Sequence, residues 1–241
     1  MPEGVADAAV RRGTAVEEQE WIARAFRDPV QRPSVRVWIY RRPALVLGCS
    51  ARPGADLAKR ALAKGMDLCV RPTGGGAVLA GRWLLGASVV LPAQDPFVVA
   101  SIPGSFRWLG LAHATWLQDL GIAAHAVPAP VAFAGAALHW SCFGGLSHWE
   151  VEACGRKIVG LAQSRRRNGV LFSSGTLIEP PPWEMLCETL GRPGDEAAEL
   201  ASRTVSCAER LEEPAEAEAL AQSLLDRLTP LTRGARPESS R

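Results

Sequence analysis

The first residues that could do chemistry form a glycine-rich segment, Arg71-Pro72-Thr73-Gly74-Gly75-Gly76-Ala77-Val78. Glycines let a backbone adopt positive φ and approach a ligand closely, and successive N–H groups in such a loop can hold an anion. The spacing matches neither the G-x-G-x-x-G pattern nor the P-loop pattern that ends in Gly-Lys-Ser/Thr. Taken alone, the segment is compatible with either a ligand-binding loop or a flexible connector between strands.

Two side chains with reactive groups follow later in the chain, Cys142 and Lys157. Lys157 begins an apolar segment, residues 158–162, where an ammonium must either meet an anion or reach water. Cys142 lies among small residues with His139 and His148 nearby in sequence, and a cysteine becomes a nucleophile when positive neighbours stabilise its thiolate. The plain alternatives are a surface lysine with a packed stem and an inert buried thiol.

The elements that must position these residues alternate irregularly along the chain. The patterns predict strands at 35–40, 44–47, 67–70, 87–91, 157–163 and 170–173, and helices at 17–26, 56–64, 105–120, 182–190 and 213–228. Alternation of Trp149, Val151 and Ala153 with two glutamates predicts a half-buried strand, and residues 164–169 are predicted to form a basic turn. This irregular order predicts an α+β fold rather than repeated βαβ units.

Together the two chemical segments resemble the lipoate–protein ligase and octanoyltransferase family of the biotin/lipoate protein ligase superfamily. That family carries an Arg-x-Ser/Thr-Gly-Gly-Gly-Ala-Val loop, then a Gly-Arg/Lys-Lys-x-x-Gly-Ser-Ala-Gln strand and a His-Gly-Ser/Thr turn. The matching residues are Arg71, Thr73, Gly74, Gly75, Gly76, Ala77 and Val78, then Gly155, Arg156, Lys157, Gly160, Ala162 and Gln163, then Gly175 and Thr176.

The resemblance implies a mixed, mostly antiparallel sheet flanked by helices, as in the biotin/lipoate protein ligase catalytic domain. It places Lys157 beside an acyl carbonyl, where it would stabilise developing oxyanion charge. It implies that the acyl or adenylate group is bound by Arg71, Thr73, Gly74, Gly75, Gly76, Ala77, Gly160, Ala162, Gly175 and Thr176. A shift to Ala, Glu and Leu after Gly194 predicts a catalytic domain at 1–194 and a helical extension with a polar tail at 195–241.

Two mechanisms share this resemblance. A transferase takes an acyl group from a carrier thioester onto its own cysteine and needs no cofactor, whereas a ligase uses ATP and Mg to make an acyl-adenylate. Cys142-Phe143 followed by Ser147-His148-Trp149-Glu150 resembles one transferase branch, while the triple glycine is more like the ligases. In either case the resemblance implies a lipoyl-domain or glycine-cleavage H-type carrier protein as acceptor. The acyl source would be an acyl-carrier protein or free lipoate or octanoate.

Three positions depart from the family pattern, and they keep a third hypothesis open. Ala80 stands where a His is common, Leu161 replaces the usual Ser, and Ser174 replaces the His of the His-Gly-Ser/Thr turn. The chain is therefore predicted to be a Cys142-dependent transferase, an ATP-dependent ligase, or a non-catalytic acyl-binding protein. Biotin ligation is a remoter hypothesis because the glycine loop lacks the more basic adenylate-binding pattern.

Composition excludes several other classes. The net charge is +2, from 27 basic and 25 acidic residues, which is too near neutral to indicate nucleic acid as the main partner. The six cysteines are scattered and no secretory signal is visible, so reduced thiols and a cytoplasmic location are expected. Residues 120–149 carry no Asp, Glu, Lys or Arg but are rich in Gly and Pro, which favours buried strand and loop over a membrane span.

The remaining polar groups give weaker signals. The histidines and cysteines lack the spacing of a metal site, so no structural metal is expected. The basic turn at Arg165, Arg166 and Arg167 could contact an acidic carrier protein, or it could simply be a solvated hairpin tip.

Overall fold

The protein is described from a computed structural model that covers residues 7–99, 101–133 and 138–232. In these residues two sheets form the centre of the molecule. The strands are β1 (Asp7–Gly13), β2 (Ser34–Tyr40), β3 (Ala44–Leu47), β4 (Asp67–Val70), β5 (Val78–Ala80), β6 (Leu84–Leu91), β7 (Ala124–Ala126), β8 (Val151–Ala153), β9 (Arg156–Arg166) and β10 (Gly169–Leu177). The larger sheet has the order β1-β2-β6-β10-β9-β8-β7 and the smaller one β4-β3-β5.

Most strand pairs are antiparallel. Only β1–β2 and β3–β4 pair in parallel among the described strands, and both connections run through a helix, as parallel pairing requires. The helices are α1 (Ala15–Ala25), α2 (Ala55–Ala63), α3 (Ile102–Ser105), α4 (Arg107–Asp119), α5 (Trp183–Leu190), α6 (Asp195–Arg203) and α7 (Ala217–Thr232). The predicted α+β class, a mostly antiparallel sheet flanked by helices, is confirmed.

The larger sheet separates two apolar layers. On one face, α4 and α7 pack against Leu85, Val89 and Phe172, and α7 contributes Leu220 and Leu224 to the same core. On the other face, α1 packs against the sheet and leaves room for the cavity described below. Helix α7, which follows the domain boundary predicted at residue 194, packs in the same core as the larger sheet. The boundary itself remains a prediction.

Several local predictions need correction. Strands β9 and β10 are longer than predicted, so the hairpin turn shrinks to Arg167 and Asn168. Gly175 and Thr176 do not form a turn: they lie inside β10, paired with β6 on one side and β9 on the other. A glycine followed by a threonine resembles a turn in sequence, but here strand pairing on both sides satisfies the backbone hydrogen-bonding groups.

The predicted strand at 149–153 is also shorter. Trp149 adopts φ 64 and precedes the strand, so the strict alternation fails at its first residue. The helix predicted at 213–228 begins instead at Ala217 and continues through Pro230 to Thr232.

The uncharged stretch at 120–149 folds as β7 and irregular loops in its described part, while residues 134–137 lie outside that part. Along the described ranges, the helices lack the combination of length and apolar character that a membrane crossing needs.

Candidate active site

A cavity of about 70 Å³ lies between α1 and the two sheets. Its apolar wall includes Ile22, Val46, Val78, Ala80 and Leu84, and its floor is made of the small residues Gly160, Ala162, Ser173 and Gly175 from β9 and β10. The cavity exists because these strands carry almost no side-chain volume on this face. An aliphatic chain could therefore lie directly against the backbone.

The strand register explains how the small residues meet. Gly175 of β10 pairs with Gly160 of β9 on one side and with Gly86 of β6 on the other. A Cβ added at Gly86 would lie 2.1 Å from the Tyr40 hydroxyl oxygen, so the tyrosine occupies the space above that glycine. The row of three glycines is thus open at Gly160 and Gly175 and closed at Gly86.

Cys142 lines this cavity and is held by the glycine-rich segment. Its backbone N–H donates to the Ala77 carbonyl at 2.9 Å, and the Ala77 N–H donates to the Trp140 carbonyl at 2.7 Å. A Cβ added at Gly160 would lie 3.7 Å from the Cys142 Sγ. The two segments that sequence analysis singled out separately are therefore joined by backbone hydrogen bonds, with the thiol close to the cavity floor.

Lys157 is only 1% exposed and lies next to this cysteine. Its Nζ donates to the carbonyl oxygens of Cys142 at 2.7 Å and Gly145 at 3.0 Å, and to Glu150 Oε2 at 2.6 Å. An added Gly160 Cβ would lie 3.6 Å from Nζ, so Nζ and the Cys142 Sγ border the same space. The snorkelling surface lysine considered from sequence is thus excluded.

Arg71 organises the glycine loop from inside. Its guanidinium donates to Thr73 Oγ1 at 2.8 Å and to the carbonyl oxygens of Val46, Gly74 and Gly76 at 3.4, 2.9 and 2.9 Å. The buried Thr73 serves as a partner of Arg71 and does not line the cavity.

Two glycines around this loop are required by close contacts. A Cβ at Gly48 would lie 2.2 Å from the Gly75 carbonyl oxygen, and one at Gly76 would lie 2.5 Å from the Trp140 carbonyl oxygen. Gly75 itself has φ 97, which favours glycine, whereas Gly74 is exposed with open space around its Cβ position.

The structure therefore divides the predicted site residues into four groups. Cys142, Arg71, Gly160, Ala162 and Gly175 border the cavity. Supporting positions are held by Thr73, Gly76, Ala77 and Lys157, while Gly74 and Gly75 are exposed on the loop. Thr176 lies on the opposite face of the sheet.

Sequence analysis missed a buried polar cluster in the cavity wall. Glu18 of α1 accepts hydrogen bonds from the Tyr40 hydroxyl at 2.7 Å and the Ser88 hydroxyl at 2.6 Å. Burial raises the pKa of the Glu18 carboxyl, and burial together with Glu18 raises the pKa of Tyr40 well above its ordinary value. A signal was present, because Glu18 stands one helical turn before Ile22 on the buried side of α1.

A second missed cluster lies behind the sheet. His113 of α4 is fully buried, with Nε2 2.8 Å from Ser174 Oγ and Nδ1 3.4 Å from Thr176 Oγ1. Burial lowers the pKa of His113 from 6.5 to about 3, so the ring is neutral at physiological pH. Ser174 stands where the family pattern has a histidine, and in this structure the histidine that contacts Ser174 is His113 of α4. His113 could have been found, since it shares the helix face of Leu109 and Trp116.

The chain belongs to the lipoyl protein ligase A/B catalytic domain family, whose profile matches residues 13–228. The family and the fold that the motifs predicted are therefore confirmed. Metal ligation has no candidate cluster in the described ranges, where His, Cys, Asp and Glu do not gather in groups of three or more.

Among the relatives, the chain is 34% identical to octanoyltransferase LipM from Kyrpidia tusciae, over 90% of this chain and 84% of that protein. It is 31% identical to octanoyltransferase LipM from Moorella thermoacetica, over 61% of this chain and 53% of that protein. The match thus spans most of the first relative and about half of the second.

Solved structures share the fold at low identity. A bi-partite lipoate protein ligase from Thermoplasma acidophilum gives a TM-score of 0.66 at 18% identity, covering 95% of this chain and 84% of that one. The structure of lipoate-protein ligase A bound with ATP gives a TM-score of 0.66 at 20% sequence identity, covering 95% of this chain and 85% of that one. Biotin protein ligase from Aquifex aeolicus gives a TM-score of 0.53 at 13% sequence identity, covering 97% of this chain and 73% of that one.

Proposed function

We propose that this chain transfers an octanoyl or lipoyl group from a thioester donor to a lysine of a lipoyl carrier protein, through a thioester on Cys142. The enzyme class predicted from sequence, transfer of lipoyl or octanoyl groups, is confirmed by the octanoyltransferase relatives. The observation that carries the Cys142 route is geometric. The Cys142 thiol borders a cavity whose apolar lining suits an aliphatic acyl chain. The buried Lys157 ammonium borders the same space over Gly160.

The reaction divides into two acyl transfers. The Cys142 thiolate attacks the carbonyl carbon of the donor thioester, the donor carbon–sulfur bond breaks, and the donor thiol leaves with a proton. The neutral amine of a carrier lysine then attacks the Cys142 thioester, loses a proton and releases the Cys142 thiolate as the amide forms. Each tetrahedral intermediate carries negative charge on oxygen, which the nearby Lys157 ammonium would stabilise.

The partners follow from this chemistry. The acceptor is a lipoyl domain or a glycine-cleavage H-type protein, and the donor is an acyl-carrier protein thioester. The donor thioester already supplies the activation, so this route uses neither ATP nor Mg. The expected location remains the cytoplasm, where such carrier proteins and reduced thiols would be available.

The ATP-dependent ligase is the second candidate, since the fold is shared with a lipoate-protein ligase bound with ATP. The cations near the cavity favour the transferase over it. Arg71 already donates to four protein oxygens and Lys157 to three, so neither is presented to a triphosphate. A non-catalytic acyl-binding role would leave the position of the Cys142 thiol without a purpose.

Intact-mass measurement tests the proposal directly. Incubation with octanoyl-loaded acyl-carrier protein should add one octanoyl group to the wild type and to Cys49→Ser, a matched variant that removes an exposed thiol. Cys142→Ser should gain none and should not octanoylate a lipoyl domain. An equal adduct on Cys142→Ser, or none on the wild type, would overturn the route. Lipoate-dependent pyrophosphate exchange would support the ligase instead.

A further inference from the structure

A buried carboxylate, Glu150, lies behind Lys157 and has no role in the reaction as described so far. It is 3% exposed, and both of its oxygens are used. Oε2 accepts from Lys157 Nζ at 2.6 Å and from the Ser147 N–H at 2.7 Å, while Oε1 accepts from the Leu161 N–H at 3.1 Å. Glu150 therefore connects the loop that follows Cys142 to the lysine and to strand β9.

The main chain fixes where this carboxylate stands. Strand β8 pairs with β9 only as far as Val159, so the Leu161 N–H lies beyond the pairing and Glu150 takes the place of a strand partner. Trp149 adopts φ 64 directly before it, and a Cβ at Gly110 of α4 would lie 2.1 Å from the Trp149 carbonyl oxygen. A residue held in a sparsely populated conformation by its surroundings is typical of functional sites.

The charges give this placement a consequence. An ammonium that is buried without a counter-charge gives up its proton, because desolvation favours its neutral form. The ion pair of Lys157 is with Glu150, and its other two acceptors are neutral carbonyls. The other cation that faces this loop, Arg203, donates to the Gly144 carbonyl and pairs with Glu199.

We propose that Glu150 is a positioning residue: it supplies the counter-charge of the buried Lys157 ammonium and holds it against the Cys142 and Gly145 carbonyl oxygens, so that a fixed positive charge stands beside the nucleophile. The inference rests on the proposed transfer through Cys142. It assigns to Lys157 the role of a fixed charge, since all three of its protons are donated to protein oxygens. Cys142 thiolate and the oxyanion would both be stabilised by that charge.

Alkylation of Cys142 tests the inference without any acyl substrate. Iodoacetamide reacts with the thiolate, and peptide mass spectrometry gives the rate at Cys142 with the exposed Cys49 as an internal reference. At neutral pH, Glu150→Gln and Lys157→Met should each slow alkylation of Cys142 by about tenfold and that of Cys49 by less than about twofold. An unchanged or faster rate at Cys142 in folded Glu150→Gln would overturn the inference.

Two further variants separate positioning from folding. Glu150→Asp keeps a carboxylate and should recover at least about a third of the wild-type alkylation rate. The double variant Glu150→Gln/Lys157→Met removes both buried charges, so it should melt closer to the wild type than either single variant does. Its Cys142 alkylation should nevertheless stay slow. If Glu150→Gln fails to fold, the double variant decides, and a wild-type rate there would mean that the pair only supports the structure.

Transfer kinetics complete the test. Glu150 does not line the cavity, so Glu150→Gln should lower kcat for octanoyl transfer by about 100-fold and change KM for the donor by less than about threefold. A wild type that is never acylated would overturn the Cys142 route, while the alkylation rates would still report on Glu150. A wild type that is acylated, with kcat unchanged in Glu150→Gln, would overturn the role of Glu150 alone.

Discussion

The two faces of strands β6, β10 and β9 differ in side-chain volume: one borders the cavity and the other is part of the packed core. On the cavity face, Ser173, Gly175, Gly160 and Ala162 leave space. On the face toward α4 and α7, the neighbouring positions carry bulky side chains in a closely packed core, Leu85, Val89, Val159, Leu161 and Phe172. Alternation along the strands lets one face provide stability while the other provides a binding space.

Both faces bury a titratable group, and burial shifts the pKa of each toward favouring its uncharged form. Glu18 lies on the cavity side with its pKa raised, and His113 lies on the core side with its pKa lowered to about 3. Beside Cys142 the protein instead buries an ion pair, in which the Lys157 ammonium meets the Glu150 carboxylate. Burial on either face thus disfavours the charged form of these two groups, whereas the ion pair beside the nucleophile buries two opposite charges together.

The largest effect is expected from emptying the packed face. Phe172→Ala removes a fully buried ring that contacts Phe106 and Trp108 edge-on, so the free energy of unfolding should fall by about 3–5 kcal/mol. Denaturant unfolding measures it. The control is Ser173→Ala, the next residue on the cavity face, which should cost less than about 1 kcal/mol. Equal losses in the two variants would remove the proposed division between the faces.

Filling the cavity face should damage function more than stability. Ala162→Leu places a side chain where the acyl chain is expected, so kcat/KM for octanoyl transfer should fall by about 100-fold, or about 2.7 kcal/mol. The melting temperature should hardly change, and iodoacetamide should still alkylate Cys142. Gly74→Ala is the matched control, because its Cβ would meet open space. If folded Ala162→Leu transferred the octanoyl group as fast as the wild type, the acyl chain would have to bind outside this cavity.

Acid should weaken the packed face through His113. Its pKa is 6.5 when unfolded and about 3 when folded, so between these values the unfolded chain binds a proton that the folded protein does not. Stability is therefore complete above pH 6.5 and falls as the pH drops below it, by about 2 kcal/mol at pH 5.

The measurement compares unfolding free energies at pH 7.5 and pH 5.0 in wild type and His113→Gln. The variant keeps a polar partner for Ser174 but lacks the titration, so its acid loss should be smaller by about 2 kcal/mol. Glu18, whose raised pKa acts in the opposite direction, is present in both proteins and cancels. Equal acid losses would show that the His113 ring is protonated in the folded state.

The smallest effect is expected at the glycine row. A Cβ at Gly175 would lie 3.2 Å from Leu84 Cδ1, so Gly175→Ala needs only a small shift of that leucine and shortens the cavity. The preference for an eight-carbon over a six-carbon donor should fall by about fourfold, the value of roughly one buried methylene. Competition between the two donors measures it. A preference that moves toward the longer chain would contradict the assignment of the floor.

Much of the fold could be predicted from local patterns. The predicted strands at 35–40, 44–47 and 67–70 agree with β2, β3 and β4 to within one residue, because a Gly or Pro follows each apolar run within about three residues. Strand β1 was not predicted, since its mixed charged and small residues become a strand only through parallel pairing with β2. The hairpin of β9 and β10 was predicted too short because exposed arginines in a strand look like a turn.

The candidate site divides in the same way. The motif residues around Arg71, Cys142 and Lys157 could be found in sequence because glycines, a cysteine and a lysine in an apolar strand are locally unusual. Glu150 was assigned to the outward positions of an alternating strand, yet it is buried, because Trp149 leaves the extended conformation directly before it.

Local sequence patterns were sufficient to predict the family, the order of most elements and the residues that could carry chemistry, because these depend on periodicity and on residue types close together in the chain. The three-dimensional fold was needed to show that Cys142, Lys157 and Glu150 meet, that His113 lies behind Ser174, and that Gly160 and Gly175 border one cavity. These contacts depend on the register between strands that are distant in the chain, which local periodicity does not determine.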